Sequence, residues 1–250
     1  MSRPASWPAA TLVQVRTEGR LTARRGENVL ALIGIPVVVL LFFGSIDLVP
    51  VPAGQTRIDV LLPGTLALAI VAAGLVNLGI ATAYERSYGV LKRLGGSPLG
   101  RSGLITAKLV TVVAIEVVVA IVLVGIAAAV FGWRAGPGAS LPAIVIAILV
   151  GTAAFAGIGL ALAGTLRAEA TLTIANALFI ACLLFGGIVV PVDQLGGPIG
   201  TISGLLPAAA LAEALRAALG TGGDLGGSLA IVGAWALGAL VVAVRWFRWE

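Results

Sequence analysis

The sequence predicts an all-α, polytopic membrane protein. Its six transmembrane helices are joined by an N-terminal amphipathic interfacial helix, a short loop helix and a re-entrant-like helical hairpin before the last span. Three observations carry this. Hydrophobic residues make up 59% of the chain, charged residues 11%, and 34 of the 250 residues are glycine. Ordinary globular domains run at about 45–50% apolar with glycine counted, and about 25% charged; here the same count reaches about 73%. A soluble fold of this length buries only about 70–75% of its surface, too little to hide that excess. The second observation is that the few charges fall at regular intervals, and the third is that the basic ones gather on one side of the resulting layout.

The charge-free intervals define the spans, since a bilayer core of about 30 Å takes about 20 apolar residues. Nineteen residues separate Glu27 from Asp47, 25 separate Asp59 from Glu85, and 32 separate Arg134 from Arg167. Another 23 lie between Glu169 and Asp193, and 20 between Asp224 and Arg245. The interval from Lys108 to Arg134 holds 25 residues interrupted only by Glu116. The expected helices are therefore 29–49, 60–83, 109–131, 142–166, 170–190 and 227–246. The first exceeds the apolar run of about 7–15 residues of a cleaved signal, and no A-x-A site follows it, so it reads as a retained anchor.

Before it, segment 9–28 interleaves Leu12, Val13, Val15 and Leu21 with Arg16, Arg20, Arg24 and Arg25. That spacing suits a basic amphipathic helix lying on a membrane leaflet. Loop 84–108 sets Val90, Leu91 and Leu94 at helical spacing beside Arg86, Lys92 and Arg93, and then breaks at Gly95-Gly96-Ser97-Pro98. It reads as a short amphipathic helix, a turn at Pro98, and a helix feeding the third span. Such a helix, held between two spans, is suited to docking on another protein. Residues 194–212 are uncharged but carry four glycines and two prolines. Freed backbone groups are costly in lipid, so this stretch reads as helix–break–helix in or near the interface, within a hairpin over 191–226. With six spans, 13 of the 16 basic residues share one face with both termini, and only Arg57, Arg134 and Arg216 lie opposite. The positive-inside rule makes that face cytoplasmic and the hairpin extracellular.

Composition also excludes chemistry. The chain has no histidine, and its single Cys182 sits in an apolar run, where a packing thiol is expected. Neither Lys92 nor Lys108 belongs to a G-x-x-x-x-G-K-[ST] phosphate loop, so ATP hydrolysis by that route is excluded and active transport needs an outside energy source. Glu116 is the one ionisable residue well inside a span. At such depth a charge usually faces a cavity or a partner. Contact with a cationic cargo, proton coupling, a hydrogen bond to a neighbour such as Asn176, and snorkelling to the boundary all remain open for it. The glycines and alanines from Gly151 to Gly164 predict close helix packing.

Tyr84-Glu85-Arg86, Gly89-Val90-Leu91-Lys92-Arg93-Leu94, Ser97-Pro98-Leu99 and Lys108 together resemble the cytoplasmic loop of ABC-2 type transporter permeases. A second match runs from Phe185-Gly186-Gly187 through Pro191, Leu195 and Pro207 to Glu213-Ala214-Leu215-Arg216, similar to the family's extracellular hairpin. Val90 stands where the family often has threonine or serine, and Gly196-Gly197-Pro198 where it often has a second proline. The narrower likeness is to the daunorubicin-resistance type of drug efflux permease.

The resemblance implies a non-enzymatic membrane subunit of a bacterial plasma-membrane exporter. It implies a coupling helix in 84–108 that docks a separate ABC ATPase, present in two copies, and pairing with a second permease copy as homodimer or heterodimer. No cofactor is expected on this chain; ATP and magnesium would bind the ATPase. Two other classes compete. A proton-coupled secondary transporter would use Glu116 and show inverted repeats, of which the halves 29–131 and 142–246 give no sign. A non-transporting membrane scaffold would use the loop helix for another partner.

Overall fold

The computed structural model describes residues 7–24, 26, 30–47, 51–52, 54–96, 100–190, 194 and 197–248, and among these every regular element is helical. Helix α1 (Trp7–Arg24) is followed by a π-helical turn (Leu30–Gly34) continuous with α2 (Ile35–Ser45). Helix α3 (Arg57–Val71) runs through a π-helical segment (Ala72–Leu78) into α4 (Gly79–Ser87). Then come α5 (Val90–Gly95), α6 (Gly100–Phe131), α7 (Leu141–Thr165) and α8 (Ala168–Phe185). The chain closes with α9 (Gly197–Gly204), α10 (Pro207–Ala218) and α11 (Leu225–Trp246).

Among the described residues, five helices are long and apolar enough to cross a bilayer: Arg57–Ser87, Gly100–Phe131, Leu141–Thr165, Ala168–Phe185 and Leu225–Trp246. The apolar helix Leu32–Ser45 is shorter. The interval expected at 29–49 thus yields a helix that ends at Ser45, whereas the one expected at 60–83 lengthens at both ends. Thr56 starts the longer helix with a reciprocal cap. Its hydroxyl accepts from the Asp59 amide while the Asp59 carboxylate accepts from the Thr56 amide, a pairing worth about 1 kcal/mol. The helix expected at 170–190 stops at Phe185, because Gly187 takes a left-handed conformation (φ 62°) that ends the winding. Residues 186–190 then fold back, and Ile188 is fully buried against Val39 and Leu68.

Helix α7 is the hub. It packs on α11, the π-helical segment, α4, α10 and α3. Two glycines let it approach the π-helical segment backbone to backbone: a Cβ at Gly74 would lie 2.8 Å from the Ala156 amide nitrogen, and one at Gly159 would lie 2.6 Å from the Gly74 carbonyl oxygen.

In the hairpin, α9 and α10 follow each other across a break at 205–206, and α10 is enclosed by α3, α7 and α11, with nearly every residue buried. Its alanines make this possible, since Ala208, Ala209, Ala210, Ala212, Ala214 and Ala218 let three neighbours close around it. The connection 132–140 joins this packing, with the Gly136 and Ser140 amides donating to the Leu219 and Ala218 carbonyls. At the same end the Trp133 indole donates to Asp59 Oδ1 at 2.9 Å. This end of the bundle is called the hairpin end below, and the opposite one the loop end.

Candidate functional site

At the loop end, α4, α6 and α1 converge on one lysine. Lys108 is 5% exposed, and its Nζ lies 2.7 Å from Glu85 Oε2, 2.9 Å from Glu85 Oε1 and 3.3 Å from Glu18. A single ammonium therefore ties the C-terminal end of α4 to the first third of α6 and to the amphipathic helix. Glu18 is also held on its own helix by Gln14, at 2.9 Å. An ammonium this enclosed needs such partners, because an unpaired buried charge is strongly unfavourable. Beside it the Arg86 guanidinium donates to the Leu166 carbonyl in the connection between α7 and α8, so the loop is fastened to that turn as well. The Arg248 amide donates to the Gly164 carbonyl, adding the C-terminal segment to the same knot.

Gly89 makes the corner between α4 and α5. Its φ of 69° lies in the left-handed region, which a side chain would disfavour. Val90–Gly95 then forms little more than one turn and a half of helix. Leu91 is its anchor, fully buried with Leu104 and packed with Ala10, Leu94 and Phe247. Val90 is half-buried, while Lys92 and Arg93 point outward and are exposed. Tyr84 and Tyr88 lie one turn apart with ring centroids at 6.2 Å. Of the loop residues singled out in the sequence, Tyr84, Glu85, Arg86, Gly89, Val90, Leu91, Lys92, Arg93 and Leu94 thus form one structure. Pro98 lies outside the described residues.

Between this knot and the apolar middle of the bundle lies a cavity of about 850 Å³. Its walls come from α1, the turn at Leu30–Gly34, α2, the π-helical segment, α4 and α8. Leu32, Ile35, Val76, Ile80, Phe179 and Ile180 make it mostly apolar; Asn77, Asn176, Tyr84, Tyr88 and Glu85 add polar groups. Asn176 is thereby on the cavity wall, and Asn77, which the sequence reading passed over, faces it. Asn77 is the only amide in the 60–83 interval. That was the signal available.

Glu116 is elsewhere. It is 3% exposed, and its Oε2 accepts from the Thr152 hydroxyl of α7 at 2.5 Å, while Oε1 is buried without a hydrogen bond among the described residues. The hydrogen-bond partner is therefore Thr152 and not Asn176, and the side chain is buried. Glu116 is not among the residues lining the 850 Å³ cavity. The geometry is that of a clasp between α6 and α7. Glu116→Gln keeps an acceptor oxygen of the same shape and is expected to change stability by less than about 1 kcal/mol. Glu116→Ala, which removes the acceptor and leaves a cavity, should cost about 2–3 kcal/mol. Thermal unfolding in detergent compares them; equal melting temperatures for both variants would remove the clasp.

The hairpin residues are apart from both regions. Pro207 opens α10, and Glu213 pairs with Arg216 one turn on, with the arginine only 6% exposed. Pro191 lies outside the described residues. Cys182 packs on the main apolar cluster.

A family model described as ABC-2 type transporter matches residues 11–219. No curated protein matches the chain.

Proposed function

The chain belongs to the ABC-2 type transporter family, and from that membership we propose that it is the permease subunit of an ATP-driven exporter whose energy enters through Lys108 and its two carboxylates. The family's membrane domain has no catalytic ATPase domain, and the chain is a multi-pass membrane protein. The permease reading adds the following to that.

A separate ABC ATPase docks on α5, presenting an acidic or polar groove to Lys92 and Arg93, with Leu91 fixing the helix from behind. Closure of the ATPases on ATP and magnesium moves α5. The movement passes through Glu85–Lys108–Glu18 to α6 and α1 together, and through Arg86 to the turn before α8. The cavity is walled in part by α1, α4 and α8 and by Val90 of α5, so its shape follows the loop. The distribution of basic residues supports six spans with both termini cytoplasmic. Helix Leu30–Ser45, whose 16 residues span about 24 Å, is the sixth of the set. A second permease copy, identical or a sister subunit, completes the pathway. The mostly apolar cavity with two amides suits an amphipathic cargo of the kind handled by drug efflux permeases. Proton coupling through Glu116 gains no support from its position against Thr152.

The single observation that carries this reading is the ion-paired Lys108 joining the loop to two membrane helices. Its test is expression together with the neighbouring genes and co-purification of an ABC ATPase. Lys92→Glu with Arg93→Glu should lower the recovered ATPase at least ten-fold while leaving the permease itself folded, as judged by gel filtration. Full recovery of the ATPase with the doubly reversed loop would defeat the docking assignment.

A further inference from the structure

A lateral groove of about 540 Å³ runs between α7 and α11. We propose that it is a binding site for an anionic phospholipid, with one acyl chain in the groove and the head group at Arg167 and Arg245. This goes beyond the transport reading and does not depend on the cargo or on the ATPase.

The groove has a physical origin. The two helices touch where a Cβ on Gly157 would meet the Ala239 side chain at 3.0 Å. Around that contact they part over small residues: Ala161, Ala234 and Gly238 form the floor, with Ile158, Leu162 and Val242 as walls. A Cβ at Gly238 would meet nothing within 4 Å, so the space is open and not filled by the protein. Trp235 stands at the end nearer the hairpin and Thr165 at the other.

The charge at that other end identifies the occupant. Arg167 follows Thr165 by two residues, and Arg245 follows Val242 by one turn. Both arginines are exposed, and neither makes an ion pair among the described residues. Glu169, exposed in the first turn of α8, is the acidic residue nearest in sequence, and it is not bridged to Arg167. An apolar slot followed, a few residues beyond its Thr165–Val242 end, by two exposed guanidinium groups without ion pairs among the described residues matches one chain and one phosphate. The slot also has the right depth. From Arg245 to Trp235 is ten residues, or about 15 Å of helix, which places the indole beside the middle of a chain whose phosphate sits at the arginines. Such a lipid would rest against the 166–167 turn that Arg86 holds.

Trp235 supplies the readout. The full-length protein is placed in nanodiscs of phosphatidylcholine in which one lipid in ten carries bromine at mid-chain. The brominated lipid is either phosphatidylglycerol or phosphatidylcholine. Subtracting the emission of Trp235→Phe isolates the Trp235 signal. Brominated phosphatidylglycerol is expected to quench that signal at least three-fold more than brominated phosphatidylcholine. Arg167→Ala with Arg245→Ala should erase the difference, and Gly238→Phe, which fills open space, should lower quenching by both lipids. Arg134→Ala, at the other end of the bundle, should leave the preference intact. Equal quenching by the two head groups would mean bulk lipid only and would overturn the site. So would a preference that survives loss of both arginines, or quenching unaffected by Gly238→Phe.

Discussion

Lys108→Ala is expected to lower the stability of the detergent-solubilised protein by about 2–4 kcal/mol and to abolish cargo-dependent ATP turnover in the assembled transporter. Removing the ammonium leaves Glu85 and Glu18 facing each other across the space it occupied, with side chains 23% and 14% exposed. Fully buried pairs lose about 3–5 kcal/mol when one partner is removed; the partial exposure of the carboxylates lowers that figure through solvent screening. The two consequences separate in a second variant. Lys108→Met with Glu85→Gln and Glu18→Gln replaces the charged knot by a neutral one and should recover most of the melting temperature, since buried ion pairs exchange for neutral groups at little cost. It should not recover coupling, because three weak contacts no longer tie α4, α6 and α1 into one moving unit. If Lys108→Ala melts with the unaltered protein, the lysine is not the joint described here. If the neutral triple variant couples normally, the ion pairs are structural and transmission runs elsewhere.

Lys108 also marks what a sequence discloses and what it withholds. Glu85 and Lys108 were legible as the charges that bound a span, because a charge in hydrocarbon is expensive and boundaries are where charges collect. Their bond to each other, and Glu18 as the third member, depend on how α1 turns its face to α6, and no spacing within α1 encodes that. The loop helix was legible from Val90, Leu91 and Leu94, since its periodicity is local. The enclosure of α10 was not: hydropathy rewards bulk, and alanines that read as weakly apolar are there because three helices must close around them. Thr152 was hidden for a similar reason. A hydroxyl in an apolar run can satisfy itself on its own helix, as Thr152 can with the Ile148 carbonyl at 2.8 Å, and only the fold shows that Glu116 lies within hydrogen-bonding reach of the same hydroxyl. Five of the six expected spans emerged as long helices because a bilayer imposes a length on each. The exit at Gly186-Gly187 resembles a family motif, yet its physical consequence, the early stop at Phe185, follows from one positive φ.

Gly159→Leu should prevent stable assembly of the bundle altogether, and Gly159→Ala should cost about 2–3 kcal/mol, at the upper end of ordinary overpacking. The atoms a methyl group at this position would meet are the Gly74 and Leu75 carbonyl oxygens, both main chain, at 2.6 and 3.1 Å. Neither can swing aside as a side-chain tip would, so the helices must move apart. Gly233→Ala is the proper comparison, since a Cβ there meets nothing within 4 Å. It should gain about 0.5–1 kcal/mol from the lower chain entropy of alanine in a helix. Opposite signs for two glycine-to-alanine changes in helices of one protein would isolate close approach from helix propensity. The effect on function should exceed the effect on stability. The segment that Gly159 touches is the π-helical one, and its next turn carries Val76 and Asn77 on the cavity wall. Displacing α7 by even part of an ångström changes the winding that aims those side chains. Cargo transport by Gly159→Ala, measured at a temperature where the variant is still fully folded, should therefore fall several-fold. Wild-type transport together with a wild-type melting temperature would show that the contact yields freely, and that the π-helical winding is set by something other than α7.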